Sequence, residues 1–434
     1  MNKIKTGMIL FILITAVLSG CSDNKTEQAQ KTVKTEAMEE VEVWLWDETF
    51  NVKAARMAAK IYEADNPGVN IVVRSREREE ILSDIQRLLS AKMYDSLPDV
   101  IMMEDYDAQG VLSSFDEEFC ELSDKVDYER FSEYKLRVCE WDGKRYGIPF
   151  DSGATALFYR SDILEEAGYT ASDMADLTWD EFIEIGRDVY QKTGIPMITI
   201  DPTDMSLCRI IMQSCGRWYV KDDGTTPDIA ENDALLGALK VYEKLIISNA
   251  GKSVNGWDDF ISAFQKGEVA AVITGCWVVS NIKAVPEQSG LWRATQIPVL
   301  DENPDSVPMS NIGGSSWYVL KHGKNPEAAV DYVADMFGNN DEFMDILINE
   351  IGITPAVKNP AVYKSYEQTD PFFGNQRITK FLTEMTENIP PVNYGSSTYV
   401  IEDMVEEEYQ NYFIDRRYEE CLMAVESKAA AIMR

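Results

Sequence analysis

Histidine is almost missing from this chain: His322 is the one imidazole in 434 residues. That excludes a metal site built from several histidines. It also leaves Ser-His-Asp or Cys-His catalysis resting on a residue in Lys-His-Gly-Lys-Asn-Pro, a turn-like surface sequence, so catalysis, if any, would fall to carboxylates. Cations are scarce too. Lysine and arginine number 41 against 74 aspartates and glutamates, a formal charge of −33, and a polyanion such as nucleic acid needs a basic patch that this balance does not offer. Cysteine appears seven times and never in CxxC spacing, so neither zinc nor thioredoxin-like chemistry has a frame, and no metal or cofactor is expected. If Cys208 and Cys215 share one helix they stand roughly 10 Å apart, beyond disulfide reach. Mostly free, buried thiols are expected among Cys120, Cys139, Cys208, Cys215, Cys276 and Cys421.

Long apolar runs are missing as well. The run from Met8 to Leu18 has eleven residues, whereas a membrane-spanning helix needs about 20. It follows Lys3 and Lys5 and leads into Leu18-Ser-Gly-Cys21, the pattern of a cleaved bacterial lipoprotein signal, with Cys21 as the lipidated first residue of the mature chain. Removing residues 1–20 leaves 414 residues, too many for one compact core and natural for two domains, and losing Lys3 and Lys5 takes the charge to −35. Residues 21–40 lack aromatics and are almost wholly polar, so they read as a flexible tether. An anionic bilayer would repel the acidic body, favouring a posture away from the surface.

What is present from residue 41 onward alternates strand and helix. Val41 to Trp46 is β-rich; Asn51 to Ala64 has apolar residues at helical spacing and stops at Asn66-Pro67-Gly68; Val69 to Arg74 returns to strand. Ile81, Ile85, Leu88 and Leu89 mark one face of a second helix before the strand Val100 to Met103. Such alternation predicts parallel sheets flanked by helices. Thr178-Trp-Asp-Glu181 is a capping box, Trp218 to Val220 reads as a strand before the Asp222-Asp223-Gly224 turn, Trp257 to Gln265 as a helix, and Glu268 to Thr274 as a strand that turns at Gly275 into another helix.

Seven segments in order carry a family likeness: VEVWLWDE at 41–48, KIYEADNPGVNIVV at 60–73, LPDVIMME at 97–104, WDGKRYGIPFDSGATALFYRSDILEEAGY at 141–169, FQKGEVAAVITGCWVVSNI at 264–282, IGGSSWYVL at 312–320 and IPPVNY at 389–394. The chain resembles the sugar-binding branch of the extracellular solute-binding proteins, family 1, that serve ABC importers. The resemblance implies a two-lobed α/β, periplasmic-binding-protein-like fold, each lobe a mainly parallel sheet with flanking helices. Gly147-Ile148-Pro149 and Gln296-Ile297-Pro298-Val299 are the hinge candidates. Lobe one would then combine 41–148 with 297–355, and lobe two 149–296 with 356–434.

Sugars offer C–H faces to aromatic rings and hydroxyls to carboxylates, amides or backbone. Trp277 stands at a strand's carboxyl end after a glycine, and the resemblance agrees, since many sugar binders have glycine, proline and a stacking tryptophan there; Cys276 replaces that proline. Trp46 and Asp47 end the first strand, with Trp44 behind them as core and helix capping as the plain role of Asp47. Glu104 and Asp105 end the strand at 100–103, Asp151 follows the first hinge, and Gly313 and Gly314 could let a ligand reach backbone amides. Trp218 and Tyr394 complete the candidates. The expectation is a monomeric, lipid-anchored binding protein outside the cell that captures a carbohydrate and passes it to a membrane permease, without catalysis. Two alternatives stay open: the same fold holding a peptide, polyamine or other small solute, and a glycoside hydrolase using a carboxylate pair among Glu104, Asp105 and Asp151.

Overall fold

The computed structural model describes residues 38–433, and the signal, Cys21 and most of the tether lie outside them. Two sheets organise the described chain. The larger has five strands in the order Val69–Ser75, Glu39–Leu45, Val100–Glu104, Ser315–Val319 and Gly147–Pro149. Its first strand shows why it forms: Val41, Val43 and Leu45 are fully buried while Glu42 and Trp44 between them are half-buried, the two-residue period of a pleated strand. The helix Asn51–Asp65 covers this sheet with a narrow face of Ala54, Ala55, Ala58 and Ala59 beside Val52 and Tyr62. The helix Arg78–Ser90 buries Ile81, Ile85, Leu88 and Leu89, the face expected from their spacing. Each such aliphatic side chain taken out of water contributes roughly 1.5 to 3 kcal/mol.

The smaller sheet has Thr155–Arg160 in the middle, between Ala271–Gly275 and Trp292–Thr295. Here the expectation of mainly parallel sheets needs correction. Glu39–Leu45 does pair parallel with both of its neighbours, but Ser315–Val319 runs antiparallel to both of its own, and the three-stranded sheet is antiparallel throughout. The parallel rule governs strands joined by a helical crossover; these strands arrive by long excursions instead.

The chain passes between the sheets through residues 150–154 and again through 296–314. These two passages run together. Ile312 N–H donates to Gly153 O at 2.9 Å, Thr155 N–H donates to Ser310 O at 2.9 Å, and Gly153 N–H donates to Asn311 Oδ1 at 2.9 Å. Gly153 is required by proximity, because a Cβ there would stand 2.0 Å from the Ile312 carbonyl oxygen. Gly147-Ile148-Pro149, a hinge candidate in the sequence, is a buried strand paired with Ser316, Trp317 and Tyr318. Pro149 is tolerated because it lies on the sheet's edge strand, where no further strand needs the N–H that proline lacks. Trp218 to Val220 is not a strand either; only Val220 makes an isolated bridge, to Pro227.

Candidate functional site

Between the two sheets lies a cleft of about 970 Å³, lined by strand ends and the loops that follow them. The larger sheet contributes Trp46 to Asn51, Ser75 to Glu79, Glu104 and Gly313 to Ser315; across from it stand Thr274, Trp277, Trp257 and Tyr399.

Trp277 reaches the floor because Gly275 precedes it: a Cβ on Gly275 would lie 2.2 Å from the indole nitrogen, so only glycine lets the ring fold back. The indole N–H then donates to Ile312 O at 3.1 Å. Cys276 explains itself at the same turn. Its N–H donates to Ala154 O at 2.9 Å, a bond that proline could not make, and burial pushes its thiol up to about 12. Trp257 packs against Trp277 with ring centroids 5.4 Å apart and is itself 53% exposed, which leaves an open aromatic wall.

Gly313 and Gly314 both take left-handed backbone, φ 73° and 92°. A Cβ on Gly313 would stand 3.6 Å from the Trp277 indole nitrogen and 3.7 Å from Glu104 Oε1, so ring and carboxylate face each other across one glycine. Glu104 is held firmly. Its Oε2 lies 2.5 Å from Arg78 Nη1 and accepts the Tyr399 hydroxyl at 2.7 Å. Arg78 also binds Asp107 at 2.8 Å, and burial, reinforced by Glu104, pushes the Asp107 carboxyl up to about 7. Behind Tyr399 sits Arg209, its guanidinium 5.3 Å from that ring and equally 5.3 Å from the Tyr106 ring, with Nε 2.9 Å from Glu402.

Of the expected residues, Trp277, Trp46, Asp47, Glu104, Asp151, Gly313 and Gly314 line this cleft. Asp151 is nearly buried and its Oδ1 accepts two bonds of 2.7 Å, from the N–H and the hydroxyl of Ser315. Asp47, at φ 63°, accepts from Thr49 N–H, Thr49 Oγ1 and Phe50 N–H, so it shapes the entry to the following helix while facing the cleft. Trp44 packs against the core as expected, half-buried, with Arg76 over the outer side of its ring.

Three expected residues lie elsewhere. Asp105 is fully buried and turned inward, both oxygens 2.7 Å from Lys135 Nζ, because the helix starting at it points its side chain back under the sheet. Trp218 and Tyr394 are buried against each other and Tyr106, centroids 4.7 to 5.4 Å apart; Trp218 donates to Thr398 Oγ1 at 3.0 Å and Tyr394 to Gln213 Oε1 at 3.1 Å. Trp257, Arg78, Arg209 and Tyr399 were not anticipated. Trp257 had a signal, being the first apolar residue of an expected helix; the other three come from distant segments with no local mark.

The arrangement is that of a two-lobed binding protein of the periplasmic type, two α/β bodies with a cleft between them. Solved structures agree on the fold: the GacH receptor of Streptomyces glaucescens matches with a TM-score of 0.74 at 17% identity over 91% of this chain and 98% of that one. A Bifidobacterium animalis binding protein in complex with β-1,6-galactobiose matches with a TM-score of 0.71 at 20% identity, covering 91% and 98%. By sequence, the model of the bacterial extracellular solute-binding protein family matches residues 57–371, and the chain belongs to that family. A lactose-binding protein of Rhizobium radiobacter is 36% identical over 391 residues, 90% of this chain and 92% of its own length. An arabinooligosaccharide-binding protein of Bacillus subtilis is 24% identical, over 89% and 88%.

Proposed function

We propose that this protein captures a carbohydrate, an oligosaccharide of two or more units, in the interlobe cleft and delivers it to the permease of an ABC importer. The observation that carries the reading is the cleft floor, where the Trp277 ring and the Glu104 carboxylate flank the Gly313 backbone. A pyranose stacked on the ring would present its hydroxyls to the carboxylate and to peptide groups. The names of the similar proteins support the same class of ligand. Trp46, Asp47, Asp151 and Gly314 supply the remaining contacts from the larger sheet's side. The lobes meet at the passages 150–154 and 296–314, a residue or more beyond the 148/149 division expected from the sequence because Gly147–Pro149 belongs whole to the larger sheet, and closure bends these paired passages around Gly153.

No covalent step belongs to this function. Glu104 Oε2 is bonded to Arg78 and Tyr399 and Asp151 Oδ1 to Ser315, so both side chains are fixed with one oxygen left to accept sugar hydroxyls, an arrangement that supports binding over acid and nucleophile work. The protein acts as a monomer, tethered outside the cell by lipid on Cys21, and Cys21→Ala should release it from membranes. Calorimetric titration with lactose, arabino-oligosaccharides and malto-oligosaccharides tests the binding reading. Saturable binding of at least one series, with the sugar recovered intact, is the expected result. A polyamine or peptide that binds while every sugar fails, or a sugar returned cleaved, would overturn it.

A further inference from the structure

A second recess of about 430 Å³ opens beside the cleft, and the two share Thr49 and Ser280 as a common rim. Its walls carry Lys53, Lys283, Gln368, Asp370 and Thr379. Ser280 lies one helical turn past Trp277 and donates to the Trp277 carbonyl at 3.2 Å. A chain stacked on Trp277 and running past Ser280 would thus be led toward this recess.

We propose that the recess is an extension site for the ligand, taking sugar units beyond those that rest on Trp277. The inference builds on the carbohydrate reading of the cleft. The recess lining suits a sugar chain, which carries both hydroxyls and C–H faces: Gln368, Thr379 and the Lys283–Asp370 pair, 2.9 Å apart, offer hydrogen bonds that a ligand must replace on leaving water, and Val279, Ile378 and Leu382 offer apolar surface beside them. An apolar extension would strip those groups of partners and bind worse. Size points the same way. The cleft is already at the upper end of the roughly 300 to 1,000 Å³ typical of small-ligand pockets, and the recess adjoins it at Thr49 and Ser280. Specificity for chain length would thus reside in the recess, whereas recognition of the first units resides at Trp277.

The test is calorimetric titration of the mature protein with lactose and with arabino- and malto-oligosaccharides of increasing length. Thr379→Trp and Gln368→Trp narrow the recess from a helix and from an exposed loop respectively, so a folding defect in one leaves the other informative. The expected result is tighter binding as the bound series lengthens. In both variants that increment should vanish, a loss on the order of tenfold, while the shortest ligand keeps its wild-type dissociation constant. Binding of short and long sugars with equal affinity, or a length increment unaffected by either tryptophan, overturns the extension site and leaves the cleft reading intact. Failure of every sugar to bind the wild type overturns both.

Discussion

At the scale of single residues, the decisive question is what Trp277 does. A ring offered to a sugar contributes apolar burial and an oriented contact, and such anchors dominate binding energy, so Trp277→Ala should cost on the order of 2 kcal/mol, roughly a thirtyfold rise in dissociation constant. Its indole also bonds Ile312 O on the passage between the sheets, so some stability is lost as well. Calorimetry and urea denaturation on the same variant separate the two effects; wild-type affinity in a destabilised protein would assign Trp277 to packing. Asp151→Asn should weaken binding less. An amide oxygen still accepts from Ser315 and loses only charge assistance.

At the scale of elements, legibility followed distance along the chain. The helix from Trp179 to Thr193 was readable because everything that starts it sits within four residues: Thr178 accepts from Glu181 N–H at 3.2 Å, and Glu181 accepts from Thr178 N–H at 2.9 Å. Thr178→Ala should therefore lower stability by about 1 kcal/mol, measurable as a shifted urea midpoint with an unchanged slope. The strands that misled, Gly147–Pro149 and the supposed one at Trp218 to Val220, were decided by remote partners: Trp317 in the first case, Tyr106 and Tyr394 in the second. The site divides the same way. Trp277, Glu104 and Gly313 could be found because they follow, end and precede a strand respectively; Asp105, one residue from Glu104, could not be told from it, since the direction of its side chain depends on Lys135 thirty residues on. Tyr399 and Arg209 became visible only once the sheets were assembled.

At the scale of the whole molecule, two measurements bear on how the lobes work. The Tyr399 hydroxyl bond to Glu104 links the helix Thr398–Tyr412 to the larger sheet, so ligand and protein groups act together across the cleft. Interactions made only when the cleft is shut shift the population toward the shut form, and small-angle scattering should show a smaller radius of gyration with saturating sugar. An unchanged profile with bound ligand would rule out closure around Gly153. Acidity provides the second measurement. Burial pushes Glu402 up to about 7, with Arg209 opposing, so folding holds its proton more tightly than the unfolded chain does. That contribution is present below the ordinary value of about 4.5 and is lost as pH rises through about 7, the same direction as for Asp107. Stability should thus fall between pH 5 and pH 7.5, by at most roughly 3 kcal/mol from this group, and Glu402→Gln should flatten the slope. Identical slopes in wild type and variant would show that Glu402 does not titrate in this window.

The six cysteines of the described chain are all unpaired, and burial raises every one of their thiols, Cys139 to about 11 and Cys421 to about 12. Only the thiolate attacks disulfides and oxidants, so at neutral pH the folded body presents almost no reactive sulfur. Oxidising surroundings outside the cell let disulfides form and persist, and small secreted domains often rely on them. Among the described residues no disulfide has to form, and burial makes these six thiols poor partners for cross-linking. Iodoacetamide should label these six positions slowly in the native protein and completely in urea. Rapid native labelling at any of them would reveal an opening of the core that leaves that sulfur exposed.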